Sequence, residues 1–402
     1  MPALDGMKVL DLTQYEAGTS CTQYLAWFGA TVVKVERPGI GDPGRSTAGT
    51  GMDSLYFMSF NHNKRSLALD LATPEGRQIF LDLLPKFDVV VENFTLGTME
   101  KLGLGYDTLK EAHPGVIYGT IKGFGTHGPY SQFKCFDMVA QAAGGSFSVT
   151  GFPDGPPMRP GATFGDTGSG MHLAMGILAA YIQRQTTGKG QMVEIAMQET
   201  IANFMREPMS HRQYRTWPIG RRGNRTVSPT DLYPCAPGGP NDFIFIMVVT
   251  TRMWDALVTT IDRPDLAADP RFDTVRDRHQ NGDALHAEIA AWTVERTKFE
   301  AMETLAGAGV PCSAVYDTAD IFTDKHLNAR NQIRTYRHPV AGEVTMQAPP
   351  IHLSDSDVEL IPAPLLGQHS FEVLASELGY DAAALNALAT KGVVGSPPVM
   401  VK

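Results

Sequence analysis

Asp166 is the residue of this sequence whose type and surroundings most directly suggest chemistry on a carboxylate. It opens a mostly apolar helical pattern that ends near Gln185. At a helix N-terminus, free backbone N–H groups and the positive end of the helix dipole favour the ionised carboxylate. Glycines at 165, 168 and 170 leave room for another molecule to come close. A helix N-cap is the competing interpretation, because aspartate is a common cap.

A second candidate lies where the second predicted strand ends. Residues 7–12 and 31–36 read as strands with an apolar helix over 20–28 between them. In nucleotide-binding sheets the residue at this strand end contacts the ribose, and a basic residue there binds a ribose phosphate. Glu36 is followed at once by Arg37. The pair therefore fits either a phosphorylated ribose or a solvated strand end.

Residues 123–128 match the Gly-x-Gly-x-x-Gly pattern of dinucleotide-binding dehydrogenases and follow a predicted strand. The surroundings do not fit that function. Pro129 follows the motif directly, no apolar helix starts inside it, and no acidic residue closes a strand about 20 residues later. We therefore interpret the segment as a turn.

The composition limits the partners of the protein. A length of 402 residues predicts two domains, and a net charge of -9 argues against general nucleic-acid binding. The four cysteines lack the spacing of a metal or redox motif, which indicates reduced thiols and predicts no metal site. Neither a membrane-length apolar run nor a signal peptide is recognisable, so we expect a cytoplasmic protein that does not bind membranes.

Strands and helices alternate along the first half of the chain. Further strands are predicted at 66–70, 88–93, 116–121 and 192–197, and one helix begins near Thr73. This alternation predicts an α/β fold with a doubly wound, Rossmann-like sheet.

A change of pattern marks the second domain. Basic residues crowd into a stretch of low periodicity, and we interpret residues 196–224 as a linker. The basic residues are Arg206, His211, Arg212, Arg215, Arg221, Arg222 and Arg225. Residues 225–325 are predicted as a smaller α+β domain with one long helix at 284–306. The C-terminal segment 330–402 is predicted to complete a large α/β domain, the ligand-binding domain, of residues 1–195.

Several segments together resemble the class III CoA-transferases. The matching pieces are residues 4–11, 29–39, 63–66, 91–94, 151–157, 165–172, 309–312 and 362–367. They run nearly from end to end of the chain, and their order and spacing are more specific than any single motif. The resemblance implies a homodimer of two interlocked, ring-like subunits. The long basic stretch before residue 225 suits a chain that passes through the ring of its partner.

The resemblance implies that Asp166 is the family's catalytic aspartate. Its carboxylate would attack the thioester of a donor acyl-CoA, giving a mixed anhydride and free CoA. CoA would then pass to the acceptor carboxylate through an aspartyl-CoA thioester. The helix N-terminus would keep Asp166 ionised, and nearby backbone N–H groups would hold the oxyanion. Coenzyme A would be a substrate, with no tightly bound cofactor.

The resemblance also implies the residues that contact CoA. Arg37 and Lys134 match basic residues that contact CoA in the family. Lys101 stands where the formyl-CoA:oxalate members of the family have an arginine. A lysine there keeps the charge but loses the bidentate fork. The other implied contacts are Asn93, Phe94, Tyr15, Ala17 and Leu71. A merely solvated side chain is the alternative for each basic residue.

Two segments depart from the formyl-CoA:oxalate members of the family. Glu16, which we place beside Asp166 in the predicted catalytic pair, stands where those members have a glutamine. Residues 223–230 replace a glycine-rich loop that covers the intermediate. A small dianion beside an added carboxylate is disfavoured unless Glu16 is protonated or paired. We therefore expect a larger acceptor, or one with a hydroxyl or cationic group, instead of oxalate.

Two other functions stay open. The α-methylacyl-CoA racemases share the fold and carry a catalytic histidine where this chain has Phe136, which cannot transfer a proton. A non-catalytic acyl-CoA-binding protein would use Asp166 only as a helix cap.

Overall fold

The computed structural model describes residues 1–47, 53–212 and 218–397. Contacts divide the chain into two compact units, one within residues 1–147, 159–217 and 331–402, the other within 148–158 and 218–330. The units differ from the predicted domains because residues 148–158 group with the second unit. Among the described residues, no helix is long and apolar enough to cross a membrane, and no cluster of His, Cys, Asp and Glu could hold a metal ion.

The first unit is built on a six-stranded parallel sheet, as the alternation of strands and helices predicted. The strand order is β3-β2-β1-β4-β5-β6. The strands are β1 (Lys8–Asp11), β2 (Thr31–Glu36), β3 (Lys64–Ala68), β4 (Val89–Glu92), β5 (Ile117–Lys122) and β6 (Met192–Ala196). Their positions agree with those read from the sequence.

Helices lie between these strands and after them. They are α1 (Ala17–Trp27), α2 (Leu55–Phe60), α3 (Pro74–Leu83), α4 (Thr98–Lys101), α5 (Tyr106–Ala112), α6 (Asp137–Ala143), α7 (Ser146–Val149), α8 (Asp166–Thr187), α9 (Met197–Phe204) and α10 (Arg206–Arg212). Short 3₁₀ helices occur at Pro43–Ser46 and Leu84–Lys86.

The sheet is covered on both faces because each strand sends apolar side chains to both sides. Val9 and Val89 belong to a buried cluster with residues of α1 and α8. Leu10 and Val90 belong to a second cluster with residues of α3 and the C-terminal helices. The strand order runs from β1 to β2 and β3 on one side, and then from β4 to β6 on the other side of β1. Where the order reverses in this way, a crevice forms at the carboxyl ends of the strands.

The predicted linker contains regular structure in its first half. Residues 197–204 and 206–212 are the helices α9 and α10, because Met197, Thr200 and Ile201 give α9 a buried face. Arg215 lies outside the described residues.

The C-terminal part of the first unit adds a hairpin and two helices. These are β10 (Ile333–His338), β11 (Gly342–Gln347), α18 (Ser370–Leu378) and α19 (Ala382–Thr390). The strand β10 was not predicted, because its sequence is mostly polar.

The second unit contains a three-stranded antiparallel sheet in the order β7-β8-β9. Its strands are β7 (Asp231–Pro234), β8 (Phe243–Ile246) and β9 (Cys312–Ala314). Its helices are α11 (Thr251–Thr260), α12 (Asp265–Ala268), α13 (Val275–Gln280), α14 (Gly282–Thr293), α15 (Lys298–Gly307), α16 (Thr318–Thr323) and α17 (Lys325–Ala329). The single helix predicted over 284–306 is wrong, because Thr297 and Glu300 form a capping box that starts a new helix.

Candidate active site

Asp166 is the first residue of α8, and Gly165 occupies the N-cap position. The prediction of a helix N-terminus here is confirmed, but the Asp166 carboxylate is not used as the cap. The nearby glycines serve internal packing. A Cβ on Gly170 would lie 2.5 Å from the carbonyl oxygen of Ala17, and one on Gly168 would lie 2.6 Å from the Phe204 ring. These two glycines therefore bring α8 close to its neighbours and leave no room for a ligand.

The backbone N–H groups at the start of α8 already have acceptors. Oδ1 of Asp137 accepts the N–H of Gly165 at 2.8 Å and that of Asp166 at 3.2 Å. The next two N–H groups donate to carbonyl oxygens within the same turn. A buried carboxylate and two carbonyl oxygens therefore occupy the N–H groups of this helix end, and oxyanion donors among other backbone N–H groups near Asp166 stay a prediction.

Glu16 lies beside Asp166, buried at the N-terminus of α1. Its Oε1 accepts hydrogen bonds from the hydroxyl of Thr163 and, at 2.8 Å, from that of Thr167. Tyr56 of α2 is also hydrogen-bonded to Glu16. Three hydroxyl groups thus surround a carboxylate that has no cationic partner among the described residues.

The charges around Asp166 oppose its ionisation. Burial, together with the negative charges of Glu16 and Asp137, raises the pKa of Asp166 to about 8. Burial also raises the pKa of Glu16, against the effect of the two threonine hydroxyls. Burial and two neighbouring carboxylates therefore oppose the ionised state that the helix end was expected to favour, and the first N–H groups of that end face Asp137.

The segment after β1 carries Tyr15 and Glu16, and side chains from other elements hold it. Asn93, after β4, accepts the N–H of Gln14 and donates to its carbonyl oxygen, both at 2.8 Å. Asn93 thus holds the backbone of Gln14 with both the oxygen and the nitrogen of its amide.

Asp166 and Glu16 line a cavity of about 420 Å³ at the carboxyl ends of β1, β4 and β5. Five of the predicted CoA contacts line the same cavity, and Lys134 and Phe136 are exposed there. The five are Tyr15, Ala17, Asn93, Phe94 and Lys134. The lining mixes apolar and polar side chains, and a cavity of this size is typical of small-ligand sites.

A second cavity of about 250 Å³ lies at the ends of β2 and β3 and shares Gln14 and Phe94 with the first. Arg37 and Leu71 line it. Arg37 is exposed and has no ion pair in the described ranges. Glu36, by contrast, is buried and forms two hydrogen bonds with Arg45, both at 2.7 Å. Arg37 is therefore the free charge at this strand end.

Lys101 is the one predicted site residue that is not among the lining residues of either cavity. It ends the short helix α4 and is exposed.

Sequence reasoning missed the residues that surround the pair of carboxylates. Asp137, Thr163, Thr167 and Tyr56 were not among the predicted site residues, although Thr163 and Thr167 lie close to Asp166 in the sequence and Asp137 follows Phe136. The hydrogen bonds of the first three with Glu16 or Asp166 span 29 to 151 positions, and no local pattern encodes them.

Comparisons with known proteins identify the family of the chain. A family model described as CoA-transferase family III matches residues 4–370. A Streptomyces coelicolor protein named formyl-CoA:oxalate CoA-transferase is 41% identical over 408 residues, covering 98% of this chain and 99% of its own. A Rhodopseudomonas palustris protein of the same name is 37% identical over 401 residues, covering 94% of both chains.

Solved structures also match this chain over most of its length. A CAIB/BAIF family protein from Brucella suis matches with a TM-score of 0.85 at 32% identity, covering 94% of this chain and 99% of that chain. The structure of Rv3272 from M. tuberculosis matches with a TM-score of 0.79 at 29% identity, covering 92% and 98%. The family match and these near full-length relatives show that the chain belongs to CoA-transferase family III and is a class III CoA-transferase.

Proposed function

We propose that the protein moves CoA from an acyl-CoA to a carboxylic acid, with Asp166 as the nucleophile. The observation that carries the proposal is the position of the Asp166 carboxylate. It forms part of the wall of the larger cavity, and no group in the described part of the chain donates a hydrogen bond to it. A carboxylate held without a structural partner beside a ligand-sized cavity is available for covalent chemistry.

The reaction requires two exchanges on this carboxylate. An oxygen of Asp166 attacks the thioester carbonyl carbon, the C–S bond breaks, and the CoA thiolate leaves with the electron pair. The thiolate then attacks the Asp166 carbonyl of the mixed anhydride, which releases the donor's carboxylate and leaves an aspartyl-CoA thioester. The acceptor repeats these steps in reverse order, and Asp166 is regenerated as a carboxylate. The donor thioester that is broken and the product thioester that is formed are bonds of the same type. A carboxylate nucleophile, which belongs to the same chemical class as the acceptor, is therefore sufficient for the exchange.

The two cavities suggest how CoA would lie. The smaller one, with Arg37 and Leu71, suits the nucleotide, and Arg37 supplies a positive charge for a phosphate. The larger one, with Asn93, Phe94 and Lys134, would hold the pantetheine arm and bring the thioester to Asp166. Gln14 and Phe94 line both cavities, which supports one continuous ligand path.

Phe136 supports transfer over racemisation. Its ring lines the cavity wall near Asp166, is 68% exposed and faces Tyr15 edge-on at 6.5 Å between ring centroids. A phenyl ring at the position of a catalytic base cannot abstract a proton from the substrate.

The proposal is tested with a panel of acyl-CoA donors that includes formyl-CoA, the donor in the relatives' names. Hydroxylamine added to protein and donor should convert Asp166 to a hydroxamate, detected by peptide mass. Asp166→Asn should keep the fold, since asparagine is nearly isosteric, and should lower CoA transfer by about 10³-fold or more. Glu16→Gln is the matched control and should still form the adduct at Asp166. A fully active Asp166→Asn variant, or an adduct on Glu16, would overturn the assignment.

A further inference from the structure

A third carboxylate, Asp137, lies behind Asp166 and contacts its backbone. Asp137 is buried at the first turn of α6 and is not among the residues that line the larger cavity. Its Oδ1 accepts the N–H groups of Gly165 and Asp166 at 2.8 and 3.2 Å. The side chain therefore touches the residue that carries the chemistry without facing the space where a substrate would bind.

The second oxygen of Asp137 ties this contact to the chain before Asp166. Oδ2 accepts the amide N–H of Gln141 at 2.7 Å, and the same amide nitrogen donates to the carbonyl oxygen of Ala162 at 3.0 Å. Gln141 is fully buried. A Cβ on Gly165 would lie 3.0 Å from both the carbonyl oxygen and Oδ1 of Asp137. One carboxylate and one amide thus hold both sides of the segment from 162 to 166.

We propose that Asp137 is a positioning residue with two separable effects on Asp166. Its hydrogen bonds fix the first turn of α8, and its negative charge makes ionisation of the Asp166 carboxyl harder. The proposal rests on the proposed function, in which the ionised Asp166 is the nucleophile.

The charge effect follows from what surrounds Asp166. Glu16 faces it from the start of α1, Asp137 from α6, Tyr56 from α2 and Cys135 from the segment before α6. None of these four groups is a cation, so none of them offsets the like charges on Glu16, Asp137 and Asp166 in this partly buried site. Removing the charge of Asp137, while keeping one acceptor oxygen for the N–H groups of Gly165 and Asp166, should therefore make Asp166 ionise at lower pH.

The direct test is a titration of Asp166 that does not depend on turnover. Protein labelled with [4-¹³C]aspartate is titrated by NMR, and the Asp166→Asn variant identifies the signal of Asp166. Asp137→Asn should lower the titration midpoint by about one pH unit or more. Gln141→Leu, which keeps the charge of Asp137 but removes its bridge to Ala162, should leave the midpoint in place. Asp137→Ser replaces Asp137→Asn if the latter does not fold.

A second readout separates the two effects on chemistry. The rate of hydroxamate formation on Asp166 is followed against pH, with the donor of the panel that gives the highest yield. Asp137→Asn should move the acid limb of the profile to lower pH. Gln141→Leu should slow the reaction at every pH without moving the limb. An unchanged NMR midpoint in Asp137→Asn would overturn the charge effect, and an unchanged rate in Gln141→Leu would overturn the positioning effect. A wild-type protein that never forms the adduct on Asp166 would instead overturn the proposed function.

Discussion

Asp42 accepts the backbone N–H of Tyr15 at 3.0 Å across 27 positions of sequence. Tyr15 has a φ of 59°, a conformation that residues other than glycine rarely adopt. The other oxygen of Asp42 is paired with Lys34 at 2.8 Å, and Lys34 donates to the carbonyl oxygen of Thr13 at 2.7 Å. Two buried charges therefore hold the strained turn that places Glu16 beside Asp166.

This strain predicts an inverted order of stability for two substitutions of Tyr15. Both Tyr15→Gly and Tyr15→Ala remove the ring, but only glycine adopts a φ of 59° without a steric penalty. We expect the Tyr15→Gly variant to be at least as stable as the Tyr15→Ala variant in urea unfolding. Inside a helix or strand, by contrast, a glycine variant is usually less stable than the alanine variant by about 0.5–1 kcal/mol. Tyr24, inside α1, is the matched control, where alanine should be the more stable. A Tyr15→Ala variant that is clearly more stable would show that the turn relaxes.

The sequence predicted the sheet well because its strands are short apolar runs, such as residues 89–91, separated by helical periods. The position of Asp166 at a helix start followed from the apolar pattern after it. Those signals are local, and local signals survive folding when the sheet is buried on both faces.

The electrostatics of the site could not be predicted, because they depend on contacts between distant segments. The helix dipole argued for an ionised Asp166, but Asp137, 29 positions away, accepts the first N–H groups of the helix end. Likewise Asn93, predicted to contact CoA, uses its amide to hold Gln14 across 79 positions. Residue types alone did not indicate that Thr163 and Thr167 donate to Glu16.

Glu16 should set the preference for the acceptor. Its charge disfavours a dianion, so the wild-type protein should use glycolate better than oxalate by about tenfold or more in kcat/KM. Because burial raises the pKa of Glu16, its charge is lost earlier as the pH falls, and the oxalate-to-glycolate ratio should rise on acidification. Glu16→Gln should raise this ratio at neutral pH and remove its dependence on pH. An identical ratio in both proteins would exclude this role for Glu16.

His62 should make the first unit sensitive to acid. Its Nε2 lies 2.7 Å from the hydroxyl of Tyr336 in β10, while its buried Nδ1 has no hydrogen-bond partner among the described residues. Burial, together with the positive charges of His338 and Lys64, lowers the pKa of His62 to about 4.

Because the folded-state pKa lies below that of the unfolded chain, the unfolded state binds the proton first as the pH falls. This contribution to stability is complete above about pH 6.5 and is lost toward pH 4, at up to about 1.4 kcal/mol per pH unit. Urea unfolding between pH 7.5 and 4.5 should show a shallower pH dependence for His62→Gln than for the wild type. His127→Gln, at an exposed position, should leave the slope as it is. Equal slopes in all three proteins would contradict the assignment to His62.

The apolar stripe on α8 is the surface that we expect a second copy of the chain to cover. Met171, Met175 and Ile182 are 39%, 58% and 70% exposed, and their spacing places them on one side of the helix. Light scattering at micromolar concentration should give a dimer. The double variant Met175→Glu, Ile182→Lys should shift the protein to monomer or make it insoluble, whereas Val275→Glu in α13, a comparably exposed position, should not. A monomeric wild type would refute the expected homodimer.

Arg37 should bind the phosphate on the ribose of CoA. It is the free cation of the smaller cavity, since the neighbouring Glu36 is engaged by Arg45 and by the hydroxyl of Ser66 at 2.7 Å. Isothermal titration of CoA and dephospho-CoA, which lacks that phosphate, isolates the contact. Arg37→Ala should lower the affinity for CoA by about tenfold and the affinity for dephospho-CoA much less. The reason is that a charge-assisted hydrogen bond contributes about 1.5–3 kcal/mol to binding. Lys101→Ala tests the predicted contact that lines neither cavity, and Lys189→Ala, in an exposed turn, is the control that should change neither affinity. Equal losses for both ligands in Arg37→Ala would mean that Arg37 contacts a part that both ligands share, such as the diphosphate, and not the ribose phosphate.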